Sequence, residues 1–144
     1  MAQFMELTVD ESIDQKSMSN PTWKDIEDGI LRIDGQNSSF LILSAVNGND
    51  HLQCVGNKIG LTVEYREYLN NSFKHFRLGN GTGRSPLLNE WFQLECKVGP
   101  ISILKEELLN AQEVLSIFRS YFQAGLLPTE YVKRNITKMF QSEK

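Results

Sequence analysis

The sequence predicts a single α+β domain, 1–144, with a mainly antiparallel meander sheet packed by an N-terminal helix and two C-terminal helices. Three observations carry this reading. Short β-like segments with turn-rich spacers fill residues 39–98, one amphipathic helical pattern precedes them, and two such patterns follow. A length of 144 residues with 40% hydrophobic and 23% charged side chains suits one compact core and excludes disordered, collagen-like and coiled-coil chains.

The first strand is expected over 3–9, where Met5, Leu7 and Val9 alternate with Glu6, Thr8 and Asp10 at the period of a half-buried strand. The polar stretch ESIDQKSMSN reads as a loop, after which Asn20 and Pro21 supply a helix cap and a first-turn proline. Trp23, Ile26, Ile30 and Ile33 then recur at three- and four-residue steps, and Asp34-Gly35 closes the helix with a residue suited to a left-handed cap. Gly29 inside this run costs about 1 kcal/mol relative to alanine.

Five strands follow as SFLILSAV, HLQCV, LTVEYREY, SFKHFRL and WFQLECKV, with NGND, GNKIG, LNN and NGTGRSPLLNE between them. Spacers of two to five residues join antiparallel neighbours rather than parallel ones. FLIL is apolar on both faces and predicts a central strand covered on both sides. In WFQLECKV, Phe92, Leu94, Cys96 and Val98 face in while Trp91, Gln93, Glu95 and Lys97 face out, and a short edge strand is expected near Ile101–Leu104. Asn110 with Glu113 forms a capping box for a helix whose stripe is Ala111, Val114, Leu115, Phe118 and Phe122, and Gly125 stops it. Pro128 and Thr129 open a last helix with Val132, Ile136, Met139 and Phe140 on one face and Lys133, Arg134 and Lys138 toward solvent.

Charge is unevenly distributed. Residues 1–50 carry nine Asp/Glu against three Lys/Arg, and residues 51–144 carry nine against twelve. A pI near 5.4 without a Lys/Arg cluster argues against direct nucleic-acid binding, which needs a basic footprint. The carboxylates Asp10, Glu11 and Asp14, and Asp25, Glu27 and Asp28, suit a basic protein partner, although charge runs of this kind also serve solubility alone. No apolar run reaches the ~18 residues of a membrane span, and MAQFMELTVDES lacks a signal-peptide layout, so a cytoplasmic protein without membrane contact is expected. Cys54 and Cys96, 42 positions apart and without a CxxC or Cys/His cluster, exclude a disulfide framework and predict neither metal nor cofactor. The four Asn-x-Ser/Thr triplets, at Asn37, Asn70, Asn80 and Asn135, matter only in a secreted chain.

Catalytic signatures are sparse. Gly79-Asn80-Gly81-Thr82-Gly83-Arg84 is followed by Pro86 and a strand rather than a helix, so it reads as a hairpin loop and not a phosphate cradle. His75 alternates with Phe73 and Arg77 as a hydrogen-bonded structural histidine would, and His51 after NGND is expected at the surface. Glu64 and Glu67 fall on opposite strand faces, and Glu106 and Glu107 are adjacent on a helix, so neither makes an acid–base pair. If 61–68, 72–78 and 91–98 pair in order, then Trp91, Gln93 and Glu95 share an outward sheet face with residues among Thr62, Glu64 and Arg66. Glu64, Arg66, Trp91 and Glu95, together with Asp25, Glu27 and Asp28, are therefore the candidate partner-binding residues; the alternative is a helix covering this face with Trp91 in the core.

The ordered set NPTWKDIEDGILRIDG, SFLIL, HLQCVG, LTVEYREY, FKHFRLG and NAQEVLSIFRSYFQAGLLPTEYVKRNITKMF resembles the Imm type-one immunity proteins of bacterial polymorphic and contact-dependent growth-inhibition toxin systems. The features that carry it are the acidic helix ending in LRIDG, the VEYRE strand followed by KHFRLG, and the helix-Gly-x-x-Pro-helix ending, with Tyr131 where the family typically has tryptophan. The resemblance implies an α+β fold, no enzymatic activity, and tight inhibition of a cognate C-terminal toxin domain, often one acting on nucleic acid. The competing readings are a small cytoplasmic enzyme using the polar face around His75, Glu64 and Arg66, and a generic regulatory interaction module.

Overall fold

The computed structural model describes residues 5–11, 14–45, 50–81, 90–97 and 99–140. Thr82, Gly83, Arg84, Pro86 and Val98, on which sequence expectations fell, lie outside the described residues. The fold is α+β. Strands β1 (Met5–Glu11), β2 (Asp14–Ser19), β3 (Phe40–Ala45), β4 (His51–Gly56), β5 (Leu61–Leu69), β6 (Ser72–Gly79) and β9 (Val132–Asn135) form one sheet in the order β2-β1-β3-β4-β5-β6-β9. Every neighbouring pair is antiparallel. Strands β7 (Trp91–Cys96) and β8 (Gly99–Leu104) make a separate hairpin. Two helices are described, α1 (Trp23–Leu31) and α2 (Ala111–Ala124), with 3-10 turns at Lys105–Glu107 and Thr137–Phe140.

One face of the sheet carries the apolar alternation: Leu7, Leu41, Leu43, Leu52, Cys54, Val63 and Leu78 are buried there together with Ile26 and Ile30 of α1 and Val114, Ile117 and Phe118 of α2. Both helices begin with reciprocal capping, Thr22 with Asp25 and Asn110 with Glu113. Gly125 ends α2 at φ 72°, as expected for a left-handed cap. Gly29 earns its place by packing, because a Cβ there would stand 2.5 Å from Leu41 Cδ1.

Several expectations are corrected. The stretch read as a loop contains β2, paired with β1 from Glu6↔Ser19 to Glu11↔Asp14. Its side chains are almost all exposed, so backbone pairing rather than an apolar alternation defines the strand. Asn20 donates its N–H to Met5 O at φ 51°, which ends that hairpin and leaves Thr22, not Asn20, as the cap of α1. The helix stops at Leu31, and Gly35 takes its positive φ in the following turn. The meander is limited to β3–β6, because β1 lies between β2 and β3.

The predicted last helix is absent as well. Residues 132–135 pair with β6 from Phe76↔Asn135 to Gly79↔Val132, and the Asn135 carboxamide oxygen accepts the N–H and hydroxyl of Thr137 at 2.9 and 2.6 Å. β-Branched Val132, Ile136 and Thr137 give the local chain little helical preference, and the β6 edge supplies backbone partners instead. Because β9 occupies that edge, β7 cannot join the sheet beside β6.

Phe118 is 0% exposed at the centre of the helix–sheet core. Phe118→Ala is expected to lose about 3–5 kcal/mol of folding free energy, read as a lower midpoint in urea unfolding with an unchanged slope.

Candidate functional site

Strand alternation sends a second set of side chains to the face opposite the helices. Cross-strand register aligns Gln53, Glu64 and Arg77 in one row and His51, Arg66 and His75 in the next. Glu64 is 5% and His75 1% exposed. A buried carboxylate requires compensation, and Glu64 receives it from three sides. His75 Nε2 lies 2.6 Å and Gln53 Nε2 3.2 Å from Oε1, while Arg77 Nη2 and Nε donate to Oε2 at 2.8 and 3.3 Å. Burial alone raises the Glu64 carboxyl, but the His75 hydrogen bond and the Arg77 charge outweigh it and hold it below its ordinary value.

The histidine tautomer follows from its partners. Arg66 Nε can only donate, and it points at His75 Nδ1 from 3.0 Å, so Nδ1 accepts and the ring proton sits on Nε2 toward Glu64. The Arg66 guanidinium is packed by aromatic rings, 4.0 Å from the Phe73 centroid and 5.0 Å from that of Phe140. His51 is half-buried rather than at the surface, its ring 6.4 Å from His75 and 6.5 Å from Tyr68.

The β7–β8 hairpin lies over this face. Leu94 and Ile103 are buried under it, and three polar links fix it: Arg77 Nη1 to Ser102 O at 3.1 Å, Asn57 Nδ2 to Glu95 O at 2.6 Å, and Lys97 Nζ to Asp10 Oδ1 at 2.7 Å. Asp10 also accepts the N–H and hydroxyl of Ser39. Burial raises the Asp10 carboxyl, but these bonds and Lys97 outweigh it and lower it overall. A third buried carboxylate, Glu107, holds the Arg134 guanidinium in a bidentate pair at 2.7 and 2.8 Å and accepts the Leu104 N–H. Arg134 in turn lies 5.4 Å from the Trp91 ring centroid.

The predicted site residues are therefore not one surface. Trp91 is 63% exposed, and neither it nor Glu95 shares an outward sheet face with Thr62, Glu64 and Arg66, because the hairpin carrying them covers that face. Thr62 and Glu64 are buried and Arg66 is half-buried. On α1, Asp25 is committed to the capping box with Thr22 and Asp28 pairs with Lys24 at 3.2 Å, while Glu27 is half-exposed. Cys54 is buried with its thiol pushed up by desolvation, and Cys96 is half-buried. Arg77 was legible as the neighbour of His75 on one strand face. Glu107 and Arg134 were not, since nothing local links residues 27 positions apart.

Among the described residues no group of three or more His, Cys, Asp or Glu side chains is placed to hold a metal ion, and no helix is long and apolar enough to cross a membrane. Comparison with protein-family models, with curated proteins and with solved structures finds no match in any of the three.

A depressed carboxylate contributes stability that is full above its ordinary value, here 4.5, and is lost as pH falls through the lower folded value. Glu64→Gln is expected to cost about 3 kcal/mol at neutral pH by leaving Arg77 buried without its counter-ion. The deficit should narrow as the wild type is acidified below 4.5, measured by urea unfolding at stepped pH.

Proposed function

We propose that this chain is an immunity protein that binds and neutralises a cognate bacterial toxin domain, one acting on nucleic acid, in the cytoplasm of the cell that makes it. The observation that carries this reading is Trp91: a large aromatic side chain, exposed, on a hairpin anchored at three points and set against an arginine already held by Glu107. Trp and Arg dominate binding hot spots, and preorganisation lowers the entropy lost on association. Glu95, on the same hairpin, adds an acidic group suited to the basic cleft of a nucleic-acid-cutting partner, whereas Glu27 and Asp28 lie on α1 at the other face of the sheet and contribute through long-range steering. The ordered sequence segments shared with Imm type-one immunity proteins point the same way.

The competing enzymatic reading depended on His75. Both of its ring nitrogens are engaged, by Glu64 and Arg66, and its ring is buried, which suits a structural role better than proton transfer to a substrate.

The chain is expected to restore growth to cells expressing the toxin domain encoded beside it, and failure to bind that domain at micromolar concentration would overturn the reading. Within the complex, Trp91→Ala is expected to speed dissociation about thirtyfold, equivalent to 2 kcal/mol, with little change in melting temperature. Glu27→Lys with Asp28→Lys is expected instead to slow association at low ionic strength, a deficit that shrinks as salt is added. Asp25 is left intact in that variant because it caps α1.

A further inference from the structure

The β7–β8 hairpin covers only part of the polar face. It is tied to the sheet at Asp10, Asn57 and Arg77, and beyond it lies a patch built on the row His51, Arg66 and His75. Tyr68 and Phe73, opposite each other in the following row, extend this patch, and strand alternation turns all five side chains to one face. Phe140 joins them there, its ring 4.2 Å from that of His75. Tyr68 and Phe140 are 40% and 43% exposed.

At the centre of the patch is a cation without a counter-ion. On this face Arg77 holds Glu64 and Arg134 holds Glu107, whereas among the described residues Arg66 pairs with no carboxylate. Its partners are neutral: Nε donates to His75 Nδ1 at 3.0 Å, Nη1 faces the Tyr68 hydroxyl at 3.4 Å, and the Phe73 ring centroid stands 4.0 Å away. None of these contacts uses Nη2, so the Nη1–Nη2 edge of the guanidinium keeps donors to spare. The acidic groups around it are otherwise placed. Glu64 is taken by Arg77 and His75, Asp50 is bonded to the Tyr68 N–H, and Glu67 falls on the opposite face by alternation. Glu6 shares the row but lies three strands away, about 14 Å at ordinary strand spacing and beyond the Debye length of about 8 Å.

We infer that Arg66 anchors a carboxylate of the partner protein, an Asp or Glu side chain next to an apolar one. The carboxylate takes the Nη1–Nη2 edge in a bidentate pair, and its apolar neighbour lies on Tyr68 and Phe140. This rests on the protein-binding reading above and extends the same interface. Arg134, beside Trp91, is two strands and two residues from Arg66 in the register, about 12 Å, so a single partner reaches both. The occupant is chosen by the missing counter-ion and by the fixed plane of the guanidinium, not by net charge. A nucleic-acid strand also offers flat rings to stack here, but it brings a row of phosphates to one guanidinium on a chain whose net charge is −3.

The test is an NMR titration of the isotope-labelled protein with three probes: the end-blocked peptide Leu-Asp-Phe, the same peptide with Asn in place of Asp, and a thymidine oligonucleotide. The Asp peptide is expected to move the Arg66 Nε–H signal and the ring signals of Tyr68 and Phe140, while the Trp23 indole, packed against Phe122 on the helix side, stays in place. The Asn peptide is expected to bind about tenfold more weakly. Arg66→Lys keeps the charge and loses the planar two-nitrogen edge, and is expected to weaken binding of the adjacent toxin domain about tenfold with an unchanged melting temperature. No shift from the Asp peptide, equal binding of the Asn peptide or the oligonucleotide, or wild-type toxin affinity in Arg66→Lys would each overturn the inference. If Arg66→Lys fails to fold, the titration of the wild type decides alone. The two readings separate: a wild type that takes the Asp peptide at Arg66 but not the toxin domain sinks only the immunity reading. A wild type that binds the toxin domain while the Asp peptide leaves Arg66 unmoved sinks only the Arg66 site.

Discussion

The buried carboxylate of Glu64 is the constraint on which the second face of the sheet depends. An unpaired charge at that depth costs several kcal/mol, so the fold is obliged to bring His75, Gln53 and Arg77 to it from both neighbouring strands. Arg77 is then held with one nitrogen free to reach Ser102 O, which carries the constraint from the sheet to the hairpin above it. The same device recurs at Asp10, which joins Ser39 to Lys97, and at Glu107, which joins Leu104 to Arg134. These three carboxylates fix where the hairpin and the last strand sit, because hydrogen bonds to charge are directional and apolar contact is not.

The two faces of the sheet thus do different work. The helix side is apolar, closed by Phe118, Ile117, Val114, Ile26 and Ile30, and provides stability by burial. The other side combines a polar cluster with the apolar pair Leu94 and Ile103, and provides orientation. One consequence is a tryptophan that stays in water. With Leu94 committed beneath the hairpin, strand alternation turns Trp91 outward, and the Glu107–Arg134 pair gives it a fixed neighbour. The indole thus stands exposed beside a guanidinium that Glu107 holds in place.

Local pattern in the sequence was enough for β3 to β8 and for α2. Their alternation, turn residues, capping box and terminal glycine all act within a few residues, so composition and spacing specify them. His75 as a structural residue was also readable, since Glu64, Arg66 and Arg77 follow the same two-residue period on paired strands. β2 escaped notice because an exposed edge strand has no apolar face to impose a period. β9 was mistaken for a helix because Val132, Ile136 and Phe140 keep helical spacing. The backbone of β6 decided otherwise.

By itself, then, the sequence determined the α+β class, the apolar helix–sheet core, the capped second helix and the outward direction of Trp91, each set by the identity of residues close together in the chain. Only the tertiary structure decided that the hairpin of Trp91 covers Glu64 instead of extending its strand face, that residues 132–135 close the sheet edge, and that Glu107 meets Arg134. Those outcomes turn on which distant backbone edge and which buried charge find each other, and pairings of that kind leave no periodic mark on the chain that makes them.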